Sequence, residues 1–443
     1  MKRAYIAFLL AAAMFQPVEA QGEFDFDTEE TSPAEEKKQG VSIPIRGKVN
    51  AESAYQSGSP KRITRLGISS NLLLDYKTKA GLFYSEVTGR FNSAYLIEND
   101  SQDVINNYTL VVILREAYWK KPFGSFTLSA GNIITIIGKA DILPVLNVLT
   151  ASDRTQSFFA NPDEARLGQN SIKVEWFNKN NHLSLLFIPY PVYDRITDND
   201  HPYSITPGLI LKNARNTREV EGALVYDRQI PRGGFSLLAG RVNNRSPVIS
   251  SDLITASFYK NYQPFWFTGA SINVATAPFL WKAELGYHFD QPQQRLTMIP
   301  APLCTANCIV PSGVAERDRI SSMIGFDYNA GNQGNLIYEM SYTSMIDADN
   351  GYAQNRGVLT YALGWSNTYL KDDLSTVAFL YAIESIRNLL FRLQATYKFD
   401  DRFSVMAQYT GIFIGAFTQD YGIFADLDRV DLMLTYNFDL AQN

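Results

Sequence analysis

Residues Leu82–Asn92 read LFYSEVTGRFN and place two kinds of side chain on opposite sides of an extended chain. One side carries Glu86 and Arg90, and the other carries Phe83 and Phe91. Successive side chains of a β-strand point to opposite faces, so this stretch predicts a strand with one charged face and one apolar face. Segments of about ten residues with this alternation are typical of strands that cross a membrane in a closed barrel.

The same alternation recurs along most of the chain. Arg46 and Lys48 alternate with apolar residues near the start, and Arg392 and Lys398 do so near the end. Short turns such as KPFG at 121–124 alternate with long connections, as in outer-membrane barrels with short periplasmic turns and long external loops. The long connections are 99–106, 138–167, 191–215, 245–263, 290–318, 346–355 and 417–427.

This alternation of short and long connections also constrains the number of strands. If residues 252–262 formed a barrel strand, the total would be odd and the 290–318 connection would fall on the periplasmic side. Treating 246–263 as an external loop gives an all-β, antiparallel transmembrane barrel of about eighteen strands, although sixteen also fit. The predicted strands are 42–56, 63–77, 81–97, 108–121, 124–137, 169–178, 182–190, 217–229, 234–244, 265–276, 279–289, 319–330, 334–346, 356–370, 374–384, 388–399, 402–416 and 428–438.

Composition excludes several other classes of protein. The 443 residues include 40 Lys and Arg against 45 Asp and Glu, so the formal net charge of −5 does not suit a nucleic-acid binder. Charged residues make up 19%, below the roughly 25% of soluble domains, while aromatic residues reach 13%. No apolar run approaches the roughly 18 to 20 residues that a spanning helix needs. We therefore predict a barrel in outer-membrane lipid, with no cofactor.

The N-terminus carries features of an export signal. Lys2 and Arg3 precede the apolar run Tyr5–Phe15, and Ala20 ends a sequence close to a signal-peptidase site. The alternative is a buried N-terminal helix. The predicted organisation is a signal peptide at 1–20, an acidic flexible periplasmic leader at 21–40, the barrel at 41–438 and a periplasmic tail at 439–443. Such a chain would reside in the outer membrane of a Gram-negative bacterium.

The charged face of each predicted strand is assigned to the lumen, because an Arg or Lys on the lipid side at mid-depth costs about 2–4 kcal/mol. The opposite, apolar face then meets lipid. The predicted pore-lining residues are Arg46, Lys48, Glu52, Glu86, Arg90, Lys173, Glu175, Glu219, Glu221, Lys282, Glu284, Arg392 and Lys398.

The connection at 138–167 is a candidate constriction. It is long and holds apolar residues without strand alternation, so it either folds into the pore or lies in solvent. Its charges would then create a transverse field that selects ions, or form a salt-bridged latch. The candidate residues are Lys139, Asp141, Arg154, Asp163, Glu164 and Arg166.

Catalytic motifs are missing from the sequence. His182, His201 and His288 are far apart, and no nucleophile, metal-protease or phosphate-loop pattern surrounds them, so we predict no enzyme activity and no metal site. Cys304 and Cys308 lie in the predicted 290–318 loop, and export to oxidising surroundings favours a local disulfide between them.

Part of the chain, about residues 110–178, resembles a poorly characterised family of porin-like outer-membrane proteins of Gram-negative bacteria. Its architecture is similar to that of alginate-export-type barrels. The chain departs from the family pattern at Ile137 and at Ile142-Leu143. The matching segments are Leu114–Tyr118, Phe126–Leu128, Gly131–Asn132, Gly138–Asp141, Leu146–Thr150 and Asp163–Gly168. The resemblance implies an outer-membrane channel and does not identify a cargo.

Three functions follow as hypotheses. The first is a porin-like channel for diffusion of small hydrophilic or amphipathic solutes. The second is a barrel that binds a partner or serves an export system without general pore activity, and the third is a barrel enzyme. A homotrimer and a periplasmic partner are both compatible with the sequence.

Overall fold

The computed structural model of the protein describes residues 45–58, 60–155, 162–198, 200–204, 211–213, 219–252, 257–299, 308–331, 334–347, 357–414 and 427–440. The predicted signal peptide at 1–20 and the leader at 21–40 lie outside the described residues, as does most of the predicted tail. Cys304 also lies outside them, so the predicted disulfide stays a prediction.

Eighteen antiparallel strands form one closed barrel. Each strand pairs with the next barrel strand along the chain, so the topology is a simple up-and-down meander. The barrel strands are β1 (Ile45–Gln56), β2 (Arg62–Thr78), β3 (Gly81–Asn92), β4 (Leu110–Phe123), β5 (Phe126–Ile133), β8 (Gln169–Asn178), β9 (Asn181–Tyr190), β11 (Glu221–Ile230), β12 (Gly233–Asn243), β15 (Pro264–Thr276), β16 (Phe279–Ile299), β17 (Cys308–Asn329), β18 (Asn335–Met345), β19 (Gly357–Tyr369), β20 (Leu374–Ile383), β21 (Ser385–Lys398), β22 (Phe403–Ile414) and β23 (Arg429–Asp439).

The barrel closes where its first strand meets its last. The pairing of β1 with β23 runs without interruption from Arg46 opposite Asp439 to Gln56 opposite Arg429. The other edge of β1 pairs with β2. Closure leaves no edge of the described barrel sheet unpaired. A sheet can lie in hydrocarbon only under this condition, because backbone groups find no water there.

The two faces of the wall are inverted relative to a soluble protein. In β23, the polar Arg429 and Asp431 are buried, whereas Leu432 and Leu434 are exposed. The same inversion holds around the ring. Exposed mid-strand apolar residues include Ile68, Leu72, Val112, Ile172, Leu185, Leu237, Leu285, Ile324 and Leu393, and buried polar residues include Ser69, Asn71, Thr127, Ser171, Ser184, Ser236, Ser271, Glu339 and Thr410. An apolar exterior around a polar interior is the pattern that lipid requires.

Smaller elements decorate the barrel. Short helices span Ala94–Ile97, Gln102–Tyr108 and Pro162–Ala165, and the side chain of Ser101 caps the second by accepting from the Val104 N–H. Among the described residues, no helix is both long and apolar enough to cross a membrane. The remaining strands are β6 (Ala151–Ser152), β7 (Arg166–Leu167), β10 (Leu211–Asn213), β13 (Val248–Asp252) and β14 (Ser257–Asn261).

All eighteen predicted strands are present, and treating 246–263 as external is confirmed. Strand β14 pairs with β10 on one side and with β13 on the other, in a separate three-stranded sheet outside the barrel wall. The strand predicted at 81–97 is too long, because the chain leaves the sheet at Asn92 and turns into the helix Ala94–Ile97. The segment predicted at 124–137 also ends early, at Ile133.

The predicted loop at 290–318 is wrong in part. Strands β16 and β17 continue past the wall as a hairpin, with Gln291 opposite Arg317 and Ile299 opposite Cys308. The hairpin contains Pro292 and Pro311, although proline donates no ladder hydrogen bond. The pairing tolerates both prolines through register shifts after His288 and after Arg295.

Leu285 offers a test of the sidedness of the wall. Its side chain is 51% exposed on β16, next to the inward-facing Glu284. We expect Leu285→Arg to destabilise the barrel in lipid vesicles by about 2–4 kcal/mol, because a cation would face hydrocarbon. Urea unfolding followed by tryptophan fluorescence measures the change. Leu285→Phe is the matched control and should leave stability nearly unchanged; equal effects of the two variants would contradict the assignment.

Candidate functional site

Residues 134–168 connect β5 to β8, and the structure describes 134–155 and 162–168 of them. These described parts fold into the barrel, and we call them the lumen loop. Its tip, Ile142 and Leu143, is buried against Phe379, Leu390 and Ile412 on strands β20, β21 and β22. These strands lie across the barrel from β5, where the loop begins. The loop therefore crosses the lumen rather than lying in solvent.

A second apolar contact holds the returning part of the loop. Leu146 and Leu149 pack with Ile188 of β9 and Phe267 of β15. A Cβ on Gly269 would lie 2.4 Å from the Leu146 side chain, so the wall leaves room for the loop at that point. The lumen wall is thus apolar where the lumen loop covers it, although barrel interiors are otherwise polar.

Glu284 on β16 satisfies the backbone of the first loop turn. Its Oε1 accepts from the N–H groups of Lys139 and, at 2.8 Å, Ala140. Its Oε2 accepts from those of Val145 at 3.0 Å and Leu146 at 3.3 Å. This carboxylate is 3% exposed and has four amide donors where a buried acid would otherwise need a cation.

Glu339 on β18 does the same for the loop tip. Its Oε1 accepts from the Asp141 N–H at 2.7 Å, and its Oε2 accepts from those of Ile142 at 2.9 Å and Leu143 at 2.6 Å. The side chain is 0% exposed. Two wall carboxylates together bind seven backbone donors of the lumen loop, a set that we call the glutamate latch.

Gly138 is adapted to this latch. Its φ of +114° lies in the region that favours glycine, and a Cβ there would lie 2.3 Å from Oε1 of Glu284. Any larger residue would both strain the backbone and push the carboxylate away.

A buried ion triplet lies beside the latch. Nζ of Lys282 on β16 contacts Asp141 of the loop and, at 2.6 Å, Asp327 of β17. The lysine and Asp141 are both nearly inaccessible to solvent. Removing one partner of such a group leaves a charge buried without compensation, which is strongly destabilising.

The second half of the lumen loop carries charges that meet the opposite part of the wall. Arg90 of β3 contacts Asp153 at 2.5 Å, and Arg195 contacts the same carboxylate at 3.2 Å. Lys48 of β1 contacts Glu164. The charged half of the loop therefore faces β1–β4, and the apolar half faces β9–β22.

Arg115 links the wall to the end of the lumen loop. It is the extra residue of a β-bulge, because Glu116 lies opposite Glu86 and Leu114 lies opposite Val87. The bulge turns Arg115 inward, where its guanidinium contacts Glu86 and the backbone carbonyl of Asp163. The segments 114–118 and 163–168, both part of the resemblance predicted from the sequence, thus contact each other.

The predicted pore-lining residues are distributed as follows. Most form ion pairs with other lumen residues, as Glu52 does with Arg65 at 3.0 Å. Arg46 and Lys398 are exposed near the short-turn rim. Arg392 is buried, and Glu284 belongs to the glutamate latch. The other ion pairs are Lys48–Glu164, Glu86–Arg115, Arg90–Asp153, Lys173–Glu175, Glu219–Arg241, Glu221–Arg245 and Lys282–Asp141.

The candidate constriction residues do not form one cluster. Asp141 lies at the latch, Arg154 contacts Asp194 at 2.8 Å, and Arg166 contacts Asp163 within the loop. The remaining two, Lys139 and Glu164, contact Glu284 through the backbone and Lys48 through the side chain.

Sequence reasoning missed Glu339, Arg115 and Asp327. Glu339 shares the inward-facing side of β18 with Ser341 and Thr343, so the strand alternation of the segment 335–345 could have placed it in the lumen.

The histidines have structural surroundings. His182 Nε2 lies 3.0 Å from Ser184 Oγ, and Nδ1 lies 3.3 Å from Asp227, an arrangement that resembles a hydrolase triad. However, Nε2 also lies 3.2 Å from Glu175. A ring held between two carboxylates is stable with a proton on each nitrogen, so it cannot take one from Ser184.

The other two histidines are buried. His201, in the connection after β9, accepts the Tyr203 N–H on Nδ1 at 3.1 Å, and burial lowers its pKa to about 3. His288 packs against Phe265. In the described part of the chain, no group of three His, Cys, Asp or Glu residues could hold a metal ion.

Glu339→Gln tests the glutamate latch. The amide nitrogen of glutamine cannot accept hydrogen bonds, so at least one of the three loop N–H groups loses its partner, at about 1–3 kcal/mol each. We expect hydrogen exchange of amides 141–143 to become roughly tenfold faster or more. Glu316→Gln on the exposed part of β17 is the control. Unchanged exchange at 141–143 in folded Glu339→Gln would show that the latch does not hold the loop.

Comparison with known proteins supports the fold. The solved structures that resemble it include OccAB1 of Acinetobacter baumannii, and OccK8 (OprE) and OccK2 (OpdF) of Pseudomonas aeruginosa. Their TM-scores are 0.54, 0.52 and 0.50, at 10%, 8% and 10% sequence identity. The matches cover 90%, 89% and 90% of this chain, and 97%, 98% and 98% of the respective structures.

At these identities the likeness concerns the fold alone. No family model matches the sequence, and no curated protein matches it. The chain therefore has the architecture of outer-membrane barrels, and its function must be argued from its own residues.

Proposed function

We propose that this chain is an outer-membrane channel through which small hydrophilic or amphipathic solutes diffuse. The observation that carries the proposal is a closed eighteen-stranded wall with an apolar exterior and an interior crossed by one anchored loop. A barrel of this strand number encloses space that side chains of the wall alone do not fill. The lumen loop then sets how wide the passage is.

The charges of the lumen support selection among small solutes. Acids and bases alternate around the wall and are mostly paired across strands or with the lumen loop. A passage lined in this way offers polar groups to a solute at every level without a large net charge of either sign. The interior also contains partly exposed apolar residues of the lumen loop, Val145 and Val148, which suit solutes with an apolar part.

An enzyme is the weaker hypothesis. A barrel hydrolase needs a histidine that can take a proton from a nucleophile, whereas His182 contacts both Glu175 and Asp227. Its neighbour Ser184 is also almost fully buried, so a substrate would not reach its hydroxyl group.

The second hypothesis is a partner-binding barrel without general pore activity. A measurement of conductance across a lipid bilayer distinguishes it from the channel. The homotrimer and the periplasmic partner stay predictions.

Planar-bilayer recording tests the channel. We expect the purified protein to give stable stepwise conductance, and Leu143→Asp to increase the conductance of each step. The aspartate would place an uncompensated charge in the apolar contact with Phe379 and Leu390, which unseats the loop tip. Lys398→Gln at the rim is the control and should conduct like the unmodified protein.

Two results would contradict the proposal. Absence of conductance from protein that keeps heat-modifiable migration on gels would favour the partner-binding barrel. Equal conductance of the unmodified protein and a folded Leu143→Asp variant would show that the lumen loop does not limit the passage.

A further inference from the structure

A cavity of about 210 Å³ lies directly beyond the glutamate latch, towards the long loops. Residues 143–150 of the lumen loop form one side of it. The far halves of β16, β17 and β18 form the other side, with His288, Arg319 and Thr343. A solute that enters from the long-loop end would meet this cavity before it reaches the glutamate latch.

Arg319 differs from the paired cations of the lumen. Its Nε donates to Ser321 Oγ at 3.3 Å, and no carboxylate among the described residues lies within ion-pair distance of its guanidinium. It is partly buried and lies in the wall of the cavity. The planar guanidinium remains charged at any physiological pH and fits carboxylate or phosphate oxygens with two parallel hydrogen bonds.

The rest of the lining is positive or neutral. Arg154 and Arg245 reach the cavity but contact Asp194 and Glu221, respectively. The other polar groups of the lining are amides, hydroxyls and the imidazole of His288, with no Asp or Glu among the described lining residues. Such a lining can donate many hydrogen bonds and repels no anion.

The cavity lining also includes apolar and aromatic side chains. Leu143 and Val145 of the loop pack with Tyr381 of β20, and Val145 and Val148 pack with Phe265 of β15. A solute with an apolar chain would bury that chain against these residues while its charged end meets Arg319.

The geometry points to a binding site for a small organic monoanion with an apolar tail, held by Arg319 at the long-loop face of the constriction. The inference rests on the proposed channel function for its role in transport, but the binding itself does not require conductance. Arg319 is then the residue that selects the charge of the solute.

Hexanoate is a suitable probe, with hexanamide and hexylammonium as matched neutral and cationic chains. Titration calorimetry on the detergent-solubilised full chain should detect hexanoate and neither of the others. Arg319→Gln should weaken hexanoate binding roughly 10-fold or more, because a hydrogen-bonded charge pair is lost. Arg228→Gln, the same change at the exposed short-turn end, should bind hexanoate like the unmodified protein.

Bilayer recording separates this inference from the proposed function. Conducting protein that does not bind hexanoate, or that binds hexanamide equally well, would overturn the site and leave the channel intact. Hexanoate binding that survives in folded Arg319→Gln would also overturn it. If hexanoate binding depends on Arg319 but the protein shows no conductance, the binding site would be supported and the proposed channel function would be contradicted.

Discussion

Hydrogen bonding of the backbone is the constraint on which this structure depends. Hydrocarbon offers no partner for N–H and C=O groups, so the wall must pair every strand and join β1 to β23. The lumen loop faces the same requirement, since it has almost no secondary structure of its own at 134–150. Glu284 and Glu339 supply the missing acceptors. The need to pair backbone N–H and C=O groups therefore determines both the closure of the wall and the position of the lumen loop.

The latch also explains why acids stand in the lumen without cations. A buried carboxylate needs compensation, and a fan of backbone N–H groups provides it as partial positive charge at short range. Each glutamate in turn fixes three or four loop residues in one conformation. Apolar contacts at Ile142 and Leu146 then bury the side chains of a segment whose backbone is already satisfied. The hydrogen bonds of the latch and the apolar contacts of the loop therefore stabilise the same loop conformation.

The sequence could predict the wall but not the latch, for a physical reason. Strand alternation and turn residues are local signals, and they located all eighteen barrel strands. They also placed residues 246–263 outside the barrel wall. The latch joins Lys139 to Glu284 and Asp141 to Glu339, which are separated by 145 and 198 residues. Such contacts depend on barrel curvature and register, which local patterns do not encode. The hairpin beyond Gln291 was missed because register shifts accommodate its prolines.

The bulge at Arg115 shows how one extra residue couples wall and loop. Without it, Arg115 would alternate to the side opposite Glu116, and one of the two would face lipid. With it, Arg115 binds Glu86 and the loop end, while Glu116 accepts the Ile134 N–H where the loop begins. Both ends of the lumen loop are therefore fixed by adjacent residues of β4. A loop held at both ends and latched at its tip keeps a fixed position inside the barrel, and it leaves open the cavity that it shares with Arg319.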